Sequence, residues 1–267
     1  MPSIDRNGVP IHFEDVGSGP PIVMGHSILC SGVMWMYQLP KLAEHYRVIN
    51  IDQRGHGRSV PATGPYELPD MAEDAFAVLD HIGIERAVWA GLSMGGMVAM
   101  HAAVTAPDRV AALLLLDTHA GEETMYKKLK YRAMSFGAKA FGIRPFFPAV
   151  IPLLFGRTTL AENQTLVDEW KPRFEEIHVP SLATAVGALT RRPSILRDLG
   201  EVRCPSLVIV GDEDASLPPI LSREIVDALP NASLVVIPKA GHLSALEQPE
   251  AVTEAMVSFL DEVHSGP

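Results

Sequence analysis

The sequence predicts an α/β protein, a mostly parallel central sheet flanked by helices and interrupted once by a helical insertion. Short apolar runs alternate with segments of helical spacing, the rhythm of consecutive βαβ units. One run, residues 110–117, is almost continuously apolar, as a central parallel strand buried on both faces must be. From Thr118 to Cys204 strand-like runs disappear and helical segments with Pro and Phe take over, after which strand rhythm returns.

The elements follow in order. The turn Arg6-Asn7-Gly8 leads to a strand at 11–15, and the apolar run 21–25 ends in the loop His26-Ser27-Ile28-Leu29. Residues 46–52 form the next strand, followed by the polar loop Asp52-Gln53-Arg54-Gly55-His56-Gly57-Arg58-Ser59. Over 71–82, Ala72, Ala75, Phe76, Leu79 and Ile82 recur at helical spacing. A strand at 87–91 runs into a helix of small residues at 94–105, and the apolar run 110–117 follows. Strands at 206–211 and 234–238 alternate with helices at 219–229 and 249–263. The organisation expected is a core of residues 1–119 and 201–267 carrying a helical lid at 120–200, with no repeat and no low-complexity segment.

Composition narrows the function classes. A chain of 267 residues with 47% apolar and 20% charged residues buries a real core. Twenty-two basic against 32 acidic residues give a net charge of −10, which repels a phosphate backbone and argues against nucleic-acid binding. The charge is uneven: residues 118–205 hold 13 basic and 9 acidic residues, net +4, against 9 and 23, net −14, elsewhere. The same segment holds six of the nine Phe. Trp35, Phe136, Phe141, Phe146 and Phe147 are the candidates for an apolar substrate wall, and 146–155 for a flap over the site. Lys127, Lys128 and Lys130 read as a solvated helix face, with a substrate carboxylate as the alternative.

Cys30 and Cys204 form no disulfide framework and no Cys-x-x-Cys pattern. The start of the chain lacks the apolar stretch of a secretory signal, and 146–155 is too short and too broken by proline to span a bilayer. A cytoplasmic location without stable membrane insertion is expected, and a homo-oligomer is left open. No Walker-type loop, no Gly-x-Gly-x-x-Gly after a strand and no His-Glu-x-x-His occurs, so neither a cofactor nor a metal is expected. Asp117 and His119 supply too few ligands for a metal site.

Gly91-Leu92-Ser93-Met94-Gly95 matches G-x-S-x-G between a strand and a small-residue helix. That context is a nucleophile elbow, a sharp turn that lifts a serine hydroxyl above the sheet. A serine needs a base. His242 follows the strand at 234–238 and lies at the sheet edge where open α/β sheets place their sites. His56 is its main rival, and His119 lies just past a strand end. The base needs a carboxylate, and Gly211-Asp212-Glu213-Asp214 follows another strand. Asp214 is the choice, Asp212 and Glu213 read as solvated loop acids or supporting partners, and Asp117 is the runner-up. The expected oxyanion donors are the backbone amides of Met94 and Ile28, with Leu29 as the fallback.

These motifs, with Pro218-Pro219 after the acid and Ala240-Gly241-His242, resemble the α/β-hydrolase superfamily over nearly the whole chain except the lid. His26-Ser27-Ile28 followed by Met34-Trp35 resembles the 3-oxoadipate enol-lactonase branch and its carboxylesterase relatives. Many members carry His-Gly where this chain has His26-Ser27. The resemblance implies a serine hydrolase that cleaves a small carboxylic ester or lactone through Ser93, His242 and Asp214. A serine at position 93 argues against the dehalogenase and epoxide-hydrolase branches, which use a carboxylate nucleophile. Two other readings stand beside it. One is C–C bond hydrolysis or perhydrolysis with the same three residues; the other is a non-catalytic ligand receptor on the same fold.

Overall fold

A computed structural model describes residues 2–62 and 64–265. Its strands are β1 (Ser3–Arg6), β2 (Val9–Gly17), β3 (Pro21–Gly25), β4 (Arg47–Ile51), β5 (Ala87–Leu92), β6 (Val110–Leu116), β7 (Ser206–Gly211) and β8 (Ala232–Ile237). They form one sheet in the order β1-β2-β4-β3-β5-β6-β7-β8. The β1–β2 and β2–β4 pairs are antiparallel and the rest parallel. The sequence reading has no counterpart of β1. Its residues, Ser-Ile-Asp-Arg, offer one apolar side chain and sit at the sheet edge, half-buried at most.

Helices α1 (Gln38–Leu42), α2 (Leu68–His81) and α3 (Met94–Thr105) connect the first strands. Between β6 and β7 come α4 (Met125–Phe141), α5 (Phe147–Leu154), α6 (Arg157–Glu162), α7 (Gln164–Glu175) and α8 (Val179–Arg191), with no strand among the described residues. Helices α9 (Pro219–Ala228), α10 (Ser244–Glu247) and α11 (Pro249–His264) complete the chain. Among the described residues no helix is long and apolar enough to cross a membrane.

The continuous apolar runs are explained by burial on both faces. Along β6, Leu113 and Leu115 face a core shared with α2, α3 and α9. Ala112, Leu114 and Leu116 face a second core shared with α1, α5, α7 and α11. All five are fully buried, so no position along that stretch has water to justify a polar side chain. The helix after β5 is made of small residues for the opposite reason. It crosses so close to β3 that a Cβ on Gly95 would overlap the Gly25 carbonyl, and one on Gly91 would overlap the Gly95 carbonyl. These contacts tighten the β5–α3 turn on which Ser93 sits.

Candidate active site

Ser93 occupies φ 56° and ψ −114°, a region that L-residues rarely adopt. The turn is held on every side. Ser93 N–H donates to the Leu116 carbonyl at 2.8 Å, and Thr118 Oγ1 donates to the Ser93 carbonyl at 2.7 Å. Gly95 N–H donates to the His26 carbonyl at 3.1 Å, tying the turn to the loop after β3. That loop is rigid in turn. Gln53 N–H donates to His26 Nε2 at 2.9 Å, so the ring proton sits on Nδ1 and donates to the Ser27 carbonyl at 2.8 Å. Ser27 N–H is taken by Met34 Sδ at 3.3 Å. The amides of Ile28 and Met94 find no partner among the described residues, the latter at the N-terminus of α3.

His242 and Asp214 meet Ser93 from two further strand ends. His242 Nε2 accepts from Ser93 Oγ at 2.9 Å, and Nδ1–H donates to Asp214 Oδ2 at 2.8 Å. The other Asp214 oxygen accepts from the amides of Ser216 and Leu217, both at 2.8 Å. All three side chains are buried. Burial alone would lower the His242 pKa. The Asp214 carboxylate at its Nδ1, with Asp117 and Glu247 behind it, raises it above 6.5 instead.

The rival residues lie elsewhere. His56 is buried beside His26, with Nδ1 on the Arg54 carbonyl, and burial drives its pKa down to about 3. His119 Nε2 lies 3.7 Å from Glu224. Asp117 makes no hydrogen bond to the imidazole and accepts instead from Gly211 N–H at 2.9 Å and Ser244 Oγ at 2.5 Å. It bolts together the two loops that carry Asp214 and His242. Asp212 accepts from the Lys239 amide.

Ser93 and His242 open into a cavity of about 150 Å³, walled mainly by apolar side chains such as Met97, Met134, Phe146, Val150, Leu154 and Leu182. Of the five residues expected on the substrate wall, the structure brings only Phe146 there. Trp35 is fully buried in the second core, the cluster that also holds Ile22, Met24 and Leu42. Phe136 and Phe141 project outward, 77% and 75% exposed: α4 turns the face opposite Phe136 to the cavity, and Phe141 is the last residue of the helix, beyond the cavity-lining turns of Tyr131 to Ala138. Phe147 lies in an outer groove with Pro148 and Pro172. The segment 146–155 lies over the site: Phe146, Val150, Leu153 and Leu154 line the cavity, while Val150, Ile151, Leu154 and Phe155 are buried. Lys127 donates to the Ser216 carbonyl and Lys128 pairs with Glu122, and neither lines the cavity. A larger cleft of about 370 Å³, lined in part by His12, Asn50 and Trp170, meets the first at Leu29 but contains neither Ser93 nor His242.

A model of the alpha/beta hydrolase family matches residues 22–255, nearly the whole chain. The chain belongs to that family. A thermophilic esterase from Thermogutta terrifontis superposes with a TM-score of 0.92 at 32% identity, covering 98% of this chain and 97% of the esterase. The enol-lactonase from Burkholderia xenovorans superposes with a TM-score of 0.90 at 27% identity, covering 97% of this chain and 99% of that one. The acetyltransferase component of the acetoin cleaving system of Pseudomonas putida is 34% identical over 93% of this chain, which spans only 65% of that protein's length. Relatives of this α/β-hydrolase are enzymes, and so is this chain.

Several residues that fasten this α/β-hydrolase's insertion escaped the sequence reading. Glu213, one residue before the acid, is no solvated loop acid: it accepts from Thr158 N–H and Oγ1, both at 2.7 Å, and from Arg157. Burial pushes its pKa up, and these bonds more than reverse the push. Buried Glu247 accepts from Gly156 N–H at 2.7 Å and Gly241 N–H at 2.9 Å, joining the insertion to the residue before His242. Glu123 and Arg192 pair across the two ends of the insertion. Isolated acids in helices and loops carry no sequence signal for such roles. Among the described residues no group of three or more His, Cys, Asp or Glu is gathered to hold a metal.

Proposed function

We propose that the protein is a serine hydrolase that cleaves small-to-medium carboxylic esters or lactones by two-step acyl transfer. The observation that carries this reading is the unbroken chain Asp214–His242–Ser93, with contacts of 2.8 and 2.9 Å, opening into an apolar cavity. His242 takes the Ser93 proton as the hydroxyl attacks the carbonyl carbon. The free amides of Ile28 and Met94 receive the oxyanion, each such donor lowering the barrier by roughly 3–4 kcal/mol. His242 then returns the proton to the leaving alkoxide, and the acyl group stays on Ser93. Water, deprotonated by the same imidazole, releases the acid. In this scheme the insertion at 120–200 is the lid that closes the acyl cavity from water. A ligand receptor on this fold has no need of an aligned proton path.

The test is a series of p-nitrophenyl esters of rising acyl length, run beside simple lactones. The expected result is turnover with a short-to-medium optimum, labelling of Ser93 by a fluorophosphonate, and loss of about 10⁶ in kcat for Ser93→Ala. Turnover that survives Ser93→Ala removes the serine from its role.

A further inference from the structure

The five most exposed large apolar side chains among the described residues all stand on one helix. They are Met125, Tyr126, Leu129, Phe136 and Phe141, between 62% and 77% exposed, and all belong to α4. Soluble proteins seldom gather bare apolar side chains in one place, and such a patch marks a surface that meets something. The same helix carries five basic residues and no acidic one, in a chain whose net charge is −10.

The two sets are in register. Met125, Leu129 and Phe136 fall on one stripe of the helix, at spacings of four and seven. Lys128, Arg132 and Lys139 follow them three residues on, along one flank. Lys130 lies on the other flank, one turn beyond Tyr126. Lys128 pairs with Glu122 at 3.2 Å, and Arg132 donates to Thr190 Oγ1. Lys130, Arg132 and Lys139 form no ion pair among the described residues. The face opposite the stripe is already committed, because Tyr131, Met134, Ser135 and Ala138 line the catalytic cavity. The helix is therefore a wall one helix thick, with the cavity behind it and the apolar stripe in front.

What meets this face must be anionic at its rim, apolar in depth and able to approach a helix from one side only. A second copy fails on charge: a two-fold contact through α4 sets its cations against the same cations, with no acid on the helix to separate them. An acidic groove that wraps a basic amphipathic helix fails on access, because the inner face of α4 belongs to the cavity wall. A bilayer with anionic headgroups meets all three conditions. We propose that the outer face of α4 is a peripheral docking surface for an anionic phospholipid bilayer. The stripe enters the boundary between headgroups and acyl chains, and the flanking cations stay with the headgroups, their aliphatic stems over the stripe. The helix lies in the plane of the surface and spans nothing. Docking turns the wall of the catalytic cavity toward the lipid. The inference goes beyond the hydrolase reading and holds whether or not Ser93 turns over an ester.

The test is co-sedimentation of the full chain with vesicles of phosphatidylglycerol and phosphatidylcholine in equal parts, and with vesicles of phosphatidylcholine alone. The wild type should bind the anionic vesicles at least about tenfold more tightly than the neutral ones. Lys130→Gln/Lys139→Gln should weaken that binding by about fivefold for each charge removed, and high salt should weaken it as well. Leu129→Ser/Phe136→Ser should weaken it by at least about tenfold with every charge kept. Leu129 and Phe136 are exposed, and neither lysine is buried, so Tm should stay unchanged in both variants, which separates loss of docking from loss of the fold. Equal binding of the wild type to the two kinds of vesicle, or binding to neither, overturns the proposal. So does equal binding by the wild type and both double variants, which moves the contact to another surface. A wild-type dimer in sedimentation velocity that Leu129→Ser/Phe136→Ser converts to a monomer overturns it too, because a second copy then covers the stripe.

Discussion

Two buried histidines are driven in opposite directions, and charge decides which way. His242 is desolvated, but Asp214 lies 2.8 Å from Nδ1 and its pKa is raised. As a base His242 works only when neutral, so kcat/KM should fall as pH drops through an apparent pKa above 6.5. Asp214→Asn should move that limb to lower pH and reduce kcat by about 10⁴-fold, because the imidazolium loses its counter-charge and the ring its tautomer. A pH–rate profile of both proteins checks this, and a wild-type rate flat down to pH 4 contradicts it. Among the described residues no carboxylate hydrogen-bonds His56; burial, with His26 beside it, outweighs the pull of Asp52 and lowers its pKa to about 3. The unfolded chain then takes up this proton first as pH falls. Stability that is complete above the ordinary value of about 6.5 is therefore lost progressively on acidification, by about 2 kcal/mol at pH 5. Urea unfolding at pH 7.5 and pH 5 should show a smaller loss in His56→Gln than in the wild type. Equal losses mean that His56 does not titrate as a buried neutral ring.

At the scale of single elements, β5, β7 and α3 fall within a residue of where pattern alone puts them. The reason is physical: a strand buried on both faces leaves a solid apolar run, and a helix grazing a strand must be built of Gly and Ala. The elbow and the strand ends bearing Asp214 and His242 were legible for the same reason, since each motif follows such a run. The substrate wall was not. Apolar content identifies Phe136, Phe141 and Phe146 as equals, whereas helix face excludes Phe136, the end of α4 leaves Phe141 outside, and the turn after α4 brings Phe146 in; α4 is apolar on its outer side as well, where Met125, Tyr126 and Leu129 are exposed. The consequence is measurable. Phe146→Ala removes a ring from the cavity wall and should shift the acyl-length optimum of the ester series toward longer chains. Phe136→Ala and Phe141→Ala should leave the optimum in place and change stability by no more than about 0.5 kcal/mol. A shift in the optimum with Phe136→Ala, unaccompanied by one with Phe146→Ala, would reverse the assignment of the cavity wall.

Across the whole molecule, the insertion and the sheet are one functional unit because their seam runs beneath the base. Leu243 N–H donates to the Leu154 carbonyl at 3.0 Å, and Glu247 holds the amides of Gly156 and Gly241 on its two oxygens. His242 lies between those core anchors, so its position above Ser93 depends on α5 and the turn that follows it. Glu247 needs both oxygens as acceptors. A glutamine offers one carbonyl oxygen, and its amino group would face an N–H with a second donor. Glu247→Gln should therefore lose one of the two bonds and leave a buried amide unsatisfied, at a cost of about 1–3 kcal/mol. For a chain of this size that corresponds to a fall in Tm of a few degrees to about 10 °C. Hydrogen exchange should quicken at Gly156, Gly241 and Leu243 while the central β5 and β6 amides stay protected, since the substitution loosens the seam and not the sheet. With His242 less firmly aimed, kcat for short esters should drop along with that local protection. Unchanged exchange at Gly156 and Gly241 in Glu247→Gln would show that the carboxylate is not what joins the two parts.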